Sequence, residues 1–213
     1  MARPKRSPLL FGGLMASGLA ILGLAIWATS PMSQAAVNKD AKPFKDTKGP
    51  HLVIQVAGQA NGTVVIDLLP KVAPKTVAQI VKLAKEGAYD GVVFHRVIDG
   101  FMAQTGDVKY GKRGGDLSHA GMGGSTLPDV PAEFSNVPFK RGTVGMARAS
   151  DPNSGNSQFF IMFQPNSNLN GQYTVFGHVI SGMDVVDKIK RGTGPNGMVT
   201  SEPDYMAKVT VEQ

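Results

Sequence analysis

Val92-Val-Phe-His95-Arg96-Val-Ile-Asp-Gly-Phe101-Met102-Ala-Gln104-Thr-Gly-Asp107 is the stretch on which the reading of this chain turns. Its first half is β-branched and aromatic, which favours an extended strand. Within a few residues it sets one arginine, Arg96, beside an apolar pair, Phe101-Met102, and a neutral amide, Gln104. No acid–base pair, thiol or metal-ligand set accompanies them. A second block further along, Gly142-Thr-Val-Gly-Met-Ala147 through Ser157-Gln-Phe-Phe-Ile161, repeats the theme with another glutamine and another aromatic pair. Strand alternation puts Gln158 and Phe160 on one face and Phe159 and Ile161 on the other.

Outward from these blocks the pattern is that of a β-rich chain. His51 to Ala57 and Thr63 to Leu69 are apolar runs joined at Asn61-Gly62, a hairpin signature. From Pro74 to Glu86 the period changes: Val77, Ile80, Val81 and Ala84 share one helical face, with Pro74 at the start and Gly87 just beyond the end. Val92 to Ile98 returns to strand character. Lys109 to Pro128 is glycine-rich and predicts a long ordered loop. Gly142 to Ala147, Gln158 to Phe163, Tyr173 to Ile180 and Ala207 to Val211 predict further strands, and Gly182 to Lys190 a short second helix. Strands in such a fold close up to hide their edges.

The chain has 213 residues, 42% hydrophobic and 18% charged, which is enough for one domain with a single core. It holds 26 glycines and 14 prolines, a turn-rich composition that argues against a helical bundle. With no cysteine, disulfides and thiolate chemistry are excluded. The formal charge of +6 invites a nucleic-acid partner, but three of the 22 basic residues, Arg3, Lys5 and Arg6, sit in the first 35. No basic stripe interleaved with aromatics remains to track phosphates. His51, His95, His119 and His178 lack metal-ligand spacing, so no metal and no other cofactor is expected.

The N-terminus has the layout of a targeting segment. Arg3, Lys5 and Arg6 precede an uncharged run from Leu9 to Trp27, and Ser33-Gln-Ala35 offers small residues at a cleavage position. Residues 1–35 are therefore expected to be a signal peptide or an N-terminal membrane anchor, with a tether through residues 9–27 in the second case. Cleavage is favoured, because Gly12, Gly13, Ser17 and Gly18 dilute the run. Either way the positive-inside bias sends the rest across the membrane. The expected location is the periplasm, with the inner-membrane-anchored form as the alternative. Residues 36–50 read as a polar linker and residues 51–213 as one domain, expected to be a monomer.

Taken together, the two blocks resemble the signature blocks of the cyclophilin family of peptidyl-prolyl isomerases, and the resemblance runs from about His51 to Val211. It implies an all-β fold: a closed eight-stranded antiparallel barrel capped by two helices, with the active groove on the outer wall. It implies an enzyme that rotates X–Pro peptide bonds in unfolded or flexible polypeptides and so assists the folding of exported proteins. By position, Arg96 matches the family's catalytic arginine and Gln104 the glutamine that steadies it and holds the substrate carbonyl. Phe101, Met102, Phe160 and Leu169 match the wall of the proline pocket, and Tyr173 an aromatic or histidine at its edge. Arg148 and Gln158 fall where the peptide before the proline is bound. Phe159, on the other face, is then expected in the barrel core.

These residue types suit the chemistry. An X–Pro bond rotates over a barrier of about 18–20 kcal/mol without any covalent bond breaking. A guanidinium, always charged, can donate to the nitrogen lone pair that localises as the amide twists. His95 is expected to be a packed structural residue, since rotation needs no proton transfer. The chain departs from the family pattern at Asp99, Thr105, Arg148 and Asn168. Asn168 stands where many members carry an aromatic that grips cyclosporin, so weak binding of that inhibitor is expected.

Overall fold

The computed structural model describes residues 44–213; the leader and the linker as far as residue 43 lie outside the described residues. Among the described residues nine strands form one antiparallel sheet: β1 His51–Ala57, β2 Gly62–Leu68, β3 Val92–Val93, β4 Arg96–Ile98, β5 Met102–Thr105, β6 Thr143–Met146, β7 Phe159–Met162, β8 Val175–Ser181 and β9 Tyr205–Glu212. Their order is β3-β9-β1-β2-β8-β6-β7-β5-β4. Helix α1, Pro74–Lys85, and the one-turn helix α2, Met183–Val186, pack against it.

The expected closed eight-stranded barrel is not what forms. Terminal strands β3 and β4 are consecutive in the chain, separated only by Phe94-His95, yet no ladder joins them. The sheet is an open half-barrel, and the single strand expected from Val92 to Ile98 is broken in two. The physical reason lies in the β4 edge, whose backbone groups are satisfied by a loop instead. Val97 N–H donates to Gly197 C=O at 2.7 Å, Gly192 N–H to Val97 C=O at 2.9 Å, and Val199 N–H to His95 C=O at 3.0 Å.

Inside the curl, Leu52, Ile54, Ile66, Phe159, Ile161 and Phe176 are fully buried, and Phe159 meets Tyr89 and Phe176 edge-to-face. Helix α1 covers part of this core with Val77, Ile80, Leu83 and Ala84. Its N-cap, Ala73, has no side-chain acceptor. The carboxylate of Glu133 serves instead, accepting from Lys75 N–H at 3.0 Å and Thr76 N–H at 2.8 Å. A negative group at that end also suits the helix dipole.

Residues 44–50, assigned to the linker, lie against the sheet. Phe44 stacks on His178 with ring centroids 3.8 Å apart, and Thr47 donates through N–H and Oγ1 to the buried Asp67. Asp46, His51 and Asp67 bring one ligand atom each within 4.8 Å of one another, a proximity that spacing did not disclose. Their atoms are engaged within the protein: Asp46 also accepts from Lys48 N–H, which together with His51 holds its pKa below the usual carboxylate range.

Candidate active site

The outer face of the half-barrel has an apolar cluster separate from the core. Met102, Phe139, Phe160, Met162, Leu169 and Tyr173 are its centre, with Phe101 and Ile98 packed against it. Strand register explains why. Arg96 lies opposite Gln104, Gln104 opposite Phe160, and Phe160 opposite Gly145, so four strands contribute one residue each to a single row. Two residues along, Ile98, Met102 and Met162 form the next row on the same face.

Glycine stands at position 145 in the first row because the aromatic rings need its space. A Cβ there would sit 2.6 Å from the Phe160 ring and 2.7 Å from Phe139. Phe160 therefore stacks on Phe139 at 5.7 Å and meets Tyr173 edge-to-face at 5.8 Å. Phe101, Met102, Phe160 and Leu169 line a shallow apolar hollow. Leu169 reaches it from the 3-10 turn Ser167–Leu169, in which Asn166 caps by accepting from Asn168 N–H.

Arg96 is half-buried beside this cluster. Its Nη1 donates to Gln104 Oε1 at 3.1 Å and its Nε donates to Asn196 C=O at 2.9 Å. Burial lowers its pKa, but an arginine so placed stays charged. The amides beyond it are oriented in sequence. Gln104 Nε2 donates to Gln158 Oε1 at 2.9 Å, and Gln158 Nε2 donates to the carbonyls of Gly121 at 2.9 Å and Gly123 at 2.7 Å. Since arginine only donates, the orientation of both glutamines follows from it.

Next to the hollow, a polar cleft of about 320 Å³ is lined by Gln104, Gly121–Ser125, Ala147–Ala149 and Asn156–Gln158. Two residues shape it that sequence reasoning passed over. Asp107, fully buried, accepts from Lys109, Tyr110, Gly121 and Gly123 N–H at 2.7–3.0 Å, tying the glycine-rich loop from beneath. Asn156 accepts from Ser125 N–H and Oγ and donates to Leu127 C=O and Asp129. A carboxylate ending an apolar strand just before a glycine-rich loop was the available clue to Asp107. Asn156 offered none.

The structure brings Arg96, Gln104, Gln158, Phe101, Met102, Phe160, Leu169 and Tyr173 to one face. Arg148 also lies there, over the Tyr173 ring at 4.6 Å, with its guanidinium bound to Gln172, Ala149 and Ser150 carbonyls. Burial raises the Tyr173 hydroxyl pKa, opposed by Arg148 and Arg96. His95 faces away from the row and is 2% exposed. Among the described residues neither of its ring nitrogens has a hydrogen-bond partner, although Gln158 and the Val93 backbone are near, and burial pulls its pKa down to about 4.

A guanidinium held at two atoms thus lies beside an apolar hollow and is flanked by neutral amides. The family model described as cyclophilin type peptidyl-prolyl cis-trans isomerase/CLD matches residues 51–211, and the chain belongs to that family. It is an isomerase of X–Pro peptide bonds. A protein of Brucella suis biovar 1 named probable peptidyl-prolyl cis-trans isomerase is 60% identical over 154 residues, 71% of this chain and 79% of that one. A peptidyl-prolyl cis-trans isomerase of Helicobacter pylori is 42% identical over 136 residues, 62% of this chain and 77% of that one. The crystal structure of a cyclophilin from Hirschia baltica superposes with a TM-score of 0.61 at 28% identity, covering 75% of this chain and 73% of that one. A Cryptosporidium parvum cyclophilin-type isomerase, crystallised in the presence of the dipeptide Ala-Pro, shares the fold at a TM-score of 0.64 and 24% identity, covering 76% of this chain and 99% of that one.

Proposed function

We propose that Arg96 is the catalytic cation of this isomerase and that Gln104 holds both the guanidinium and the substrate carbonyl. The substrate's proline ring sits in the hollow of Phe101, Met102, Phe160 and Leu169, with Tyr173 at its edge. The residues before proline run past Gln158 and the Ala147–Ala149 backbone beside Arg148. The observation that carries this assignment is the single row Arg96–Gln104–Phe160, which sets a charged donor and an apolar seat side by side.

The mechanism follows from the amide itself. The planar, resonance-charged form is the more polar, so an apolar seat disfavours it relative to the twisted one. As the bond twists, the nitrogen lone pair localises and accepts from the guanidinium. A charge-assisted hydrogen bond is worth about 1.5–3 kcal/mol, or roughly 10- to 150-fold in rate. Arg96→Ala should therefore slow a coupled proline-isomerisation assay by about that factor, with the fold intact by circular dichroism. Turnover at the wild-type rate would instead leave the groove as a proline-peptide binding module in which catalysis is incidental.

The same proposal extends to location and clients. Residues 1–35 direct export, the domain works in the periplasm, either free or tethered through residues 9–27, and its clients are exported chains still flexible around proline. Support comes from the positive start and uncharged run of that segment. N-terminal sequencing of protein from fractionated cells tests it: a mature chain starting near Ala36 in the periplasmic fraction is expected, and intact chain in the cytosol refutes it. The domain is proposed to act as a monomer, which sedimentation of purified protein checks.

A further inference from the structure

The loop that fills the sheet's missing seam also touches the guanidinium. Between α2 and β9, the chain from Gly192 to Val199 runs along the free edge of β4, with an isolated antiparallel bridge between Arg96 and Met198. It is pinned at both ends. Just before it, Arg191 pairs with Asp99 of the β4–β5 turn at 2.9 Å and lies over the Phe163 ring at 4.0 Å. At its far end Val199 is buried and bonded to His95 C=O.

Between those pins is a turn, Gly194-Pro195-Asn196-Gly197, whose geometry aims one carbonyl. Gly197 N–H donates to Gly194 C=O at 3.2 Å and Thr193 N–H to Met198 C=O at 3.0 Å. Gly197 has φ +63, and a Cβ there would collide with Ile98 and come within 2.8 Å of Val97 C=O. Only glycine fits, and the close approach it allows delivers Asn196 C=O to Arg96 Nε.

We propose that the Gly192–Val199 loop is the positioning element of the Arg96 guanidinium and sets turnover rather than substrate affinity. This rests on the assignment of Arg96 as the catalytic cation. A guanidinium presents its donors in one plane. Held only at Nη1 by Gln104 it can pivot about that bond; held also at Nε by Asn196 C=O it has one orientation, with Nη2 unclaimed by either acceptor. Because Arg96 is only half-buried, packing does not supply that second constraint. A donor fixed before the amide twists costs no reorganisation when the lone pair appears.

The experiment compares wild type, Arg96→Ala, Arg96→Lys, Gly197→Ala, Pro195→Gly and the double variant Arg96→Lys/Gly197→Ala in the domain with its N-terminal segment. Rates come from exchange spectroscopy on a proline peptide, affinities from calorimetry on the same peptide, and the Arg96 Nε–H is followed by its own ¹H–¹⁵N resonance. Gly197→Ala should cut kcat about tenfold, the worth of one charge-assisted contact, with affinity changed less than about twofold and faster exchange of Nε–H. In an Arg96→Lys background, where no Nε–H plane exists, the same change should cost nothing further; a merely structural role would lower that residual rate as well. If Gly197→Ala fails to fold, Pro195→Gly, which loosens the exposed turn without adding atoms, should lower kcat about threefold and speed Nε–H exchange. An unchanged kcat with a freed Nε–H, or an equal loss in affinity, overturns the proposal. Wild-type turnover by Arg96→Ala sinks the underlying assignment instead, so the two failures are distinct.

Discussion

Acidification should destabilise this protein through one buried histidine. His95 is 2% exposed and its pKa is pulled from the ordinary 6.5 down to about 4, first by burial, then by Arg96 against the opposing pull of Asp107. The unfolded chain binds this proton more readily than the folded one. Stability is therefore complete above pH 6.5 and is lost as pH falls from there toward about 4. Across that gap the loss is on the order of 3 kcal/mol, a large share of a domain's margin. His178, also pulled to about 4 by burial, acts in the same direction, so the contribution of His95 has to be isolated. Urea unfolding of wild type and His95→Phe between about pH 4 and pH 7.5 does this, since phenylalanine keeps the ring and removes the titrating nitrogens. The wild type should lose about 3 kcal/mol more than the variant over that range. Parallel stability curves would refute the reasoning. Isomerisation by His95→Phe should stay within a few-fold of wild type, because no proton moves in the reaction.

Phe159→Ala and Phe160→Ala separate core from groove: both rings are buried and each change should cost about 3–5 kcal/mol in urea unfolding, while only the second should also weaken calorimetric binding of a proline peptide. Glu133→Ala removes the acceptor of two α1 N–H groups and should lower stability by about 1 kcal/mol, read by thermal unfolding, with isomerisation little changed. Asn168 is exposed on the turn before Leu169, so Asn168→Trp should tighten cyclosporin binding in a competition assay, and a nanomolar constant for the wild type would show that the aromatic is not needed.

Much of this architecture is written in local pattern. Strand β1 spans the predicted His51–Ala57, and α1 starts at Pro74 as its period requires, because each rests on residues near in sequence. The four-residue β5 and the break at Phe94-His95, which leaves β3 with two residues and β4 with three, escaped, since strands so short have too few positions to show alternation. The open seam escaped for another reason: what satisfies the β4 edge is a loop about a hundred residues downstream, matched through backbone atoms that carry no side-chain signature. The site divides the same way. That Arg96, Gln104, Phe101, Met102, Phe160 and Leu169 share one face was legible because strand alternation and their side-chain types mark it. Asp107 and Asn156 were not, because they act by gathering backbone groups, and Asn196 contributes only a carbonyl that any residue has.

The two glutamines between Arg96 and the glycine-rich loop have amide ends alike in shape but opposite in hydrogen bonding, able to present either oxygen or nitrogen in either direction, yet here each has one permitted way round. Turning Gln104 over would face donor against donor at one end and acceptor against acceptor at the other. The line therefore has a polarity imposed from its charged end, like compass needles beside a magnet. Gly121 and Gly123, two hydrogen bonds beyond Gln104, sense the cation through the way two neutral side chains point.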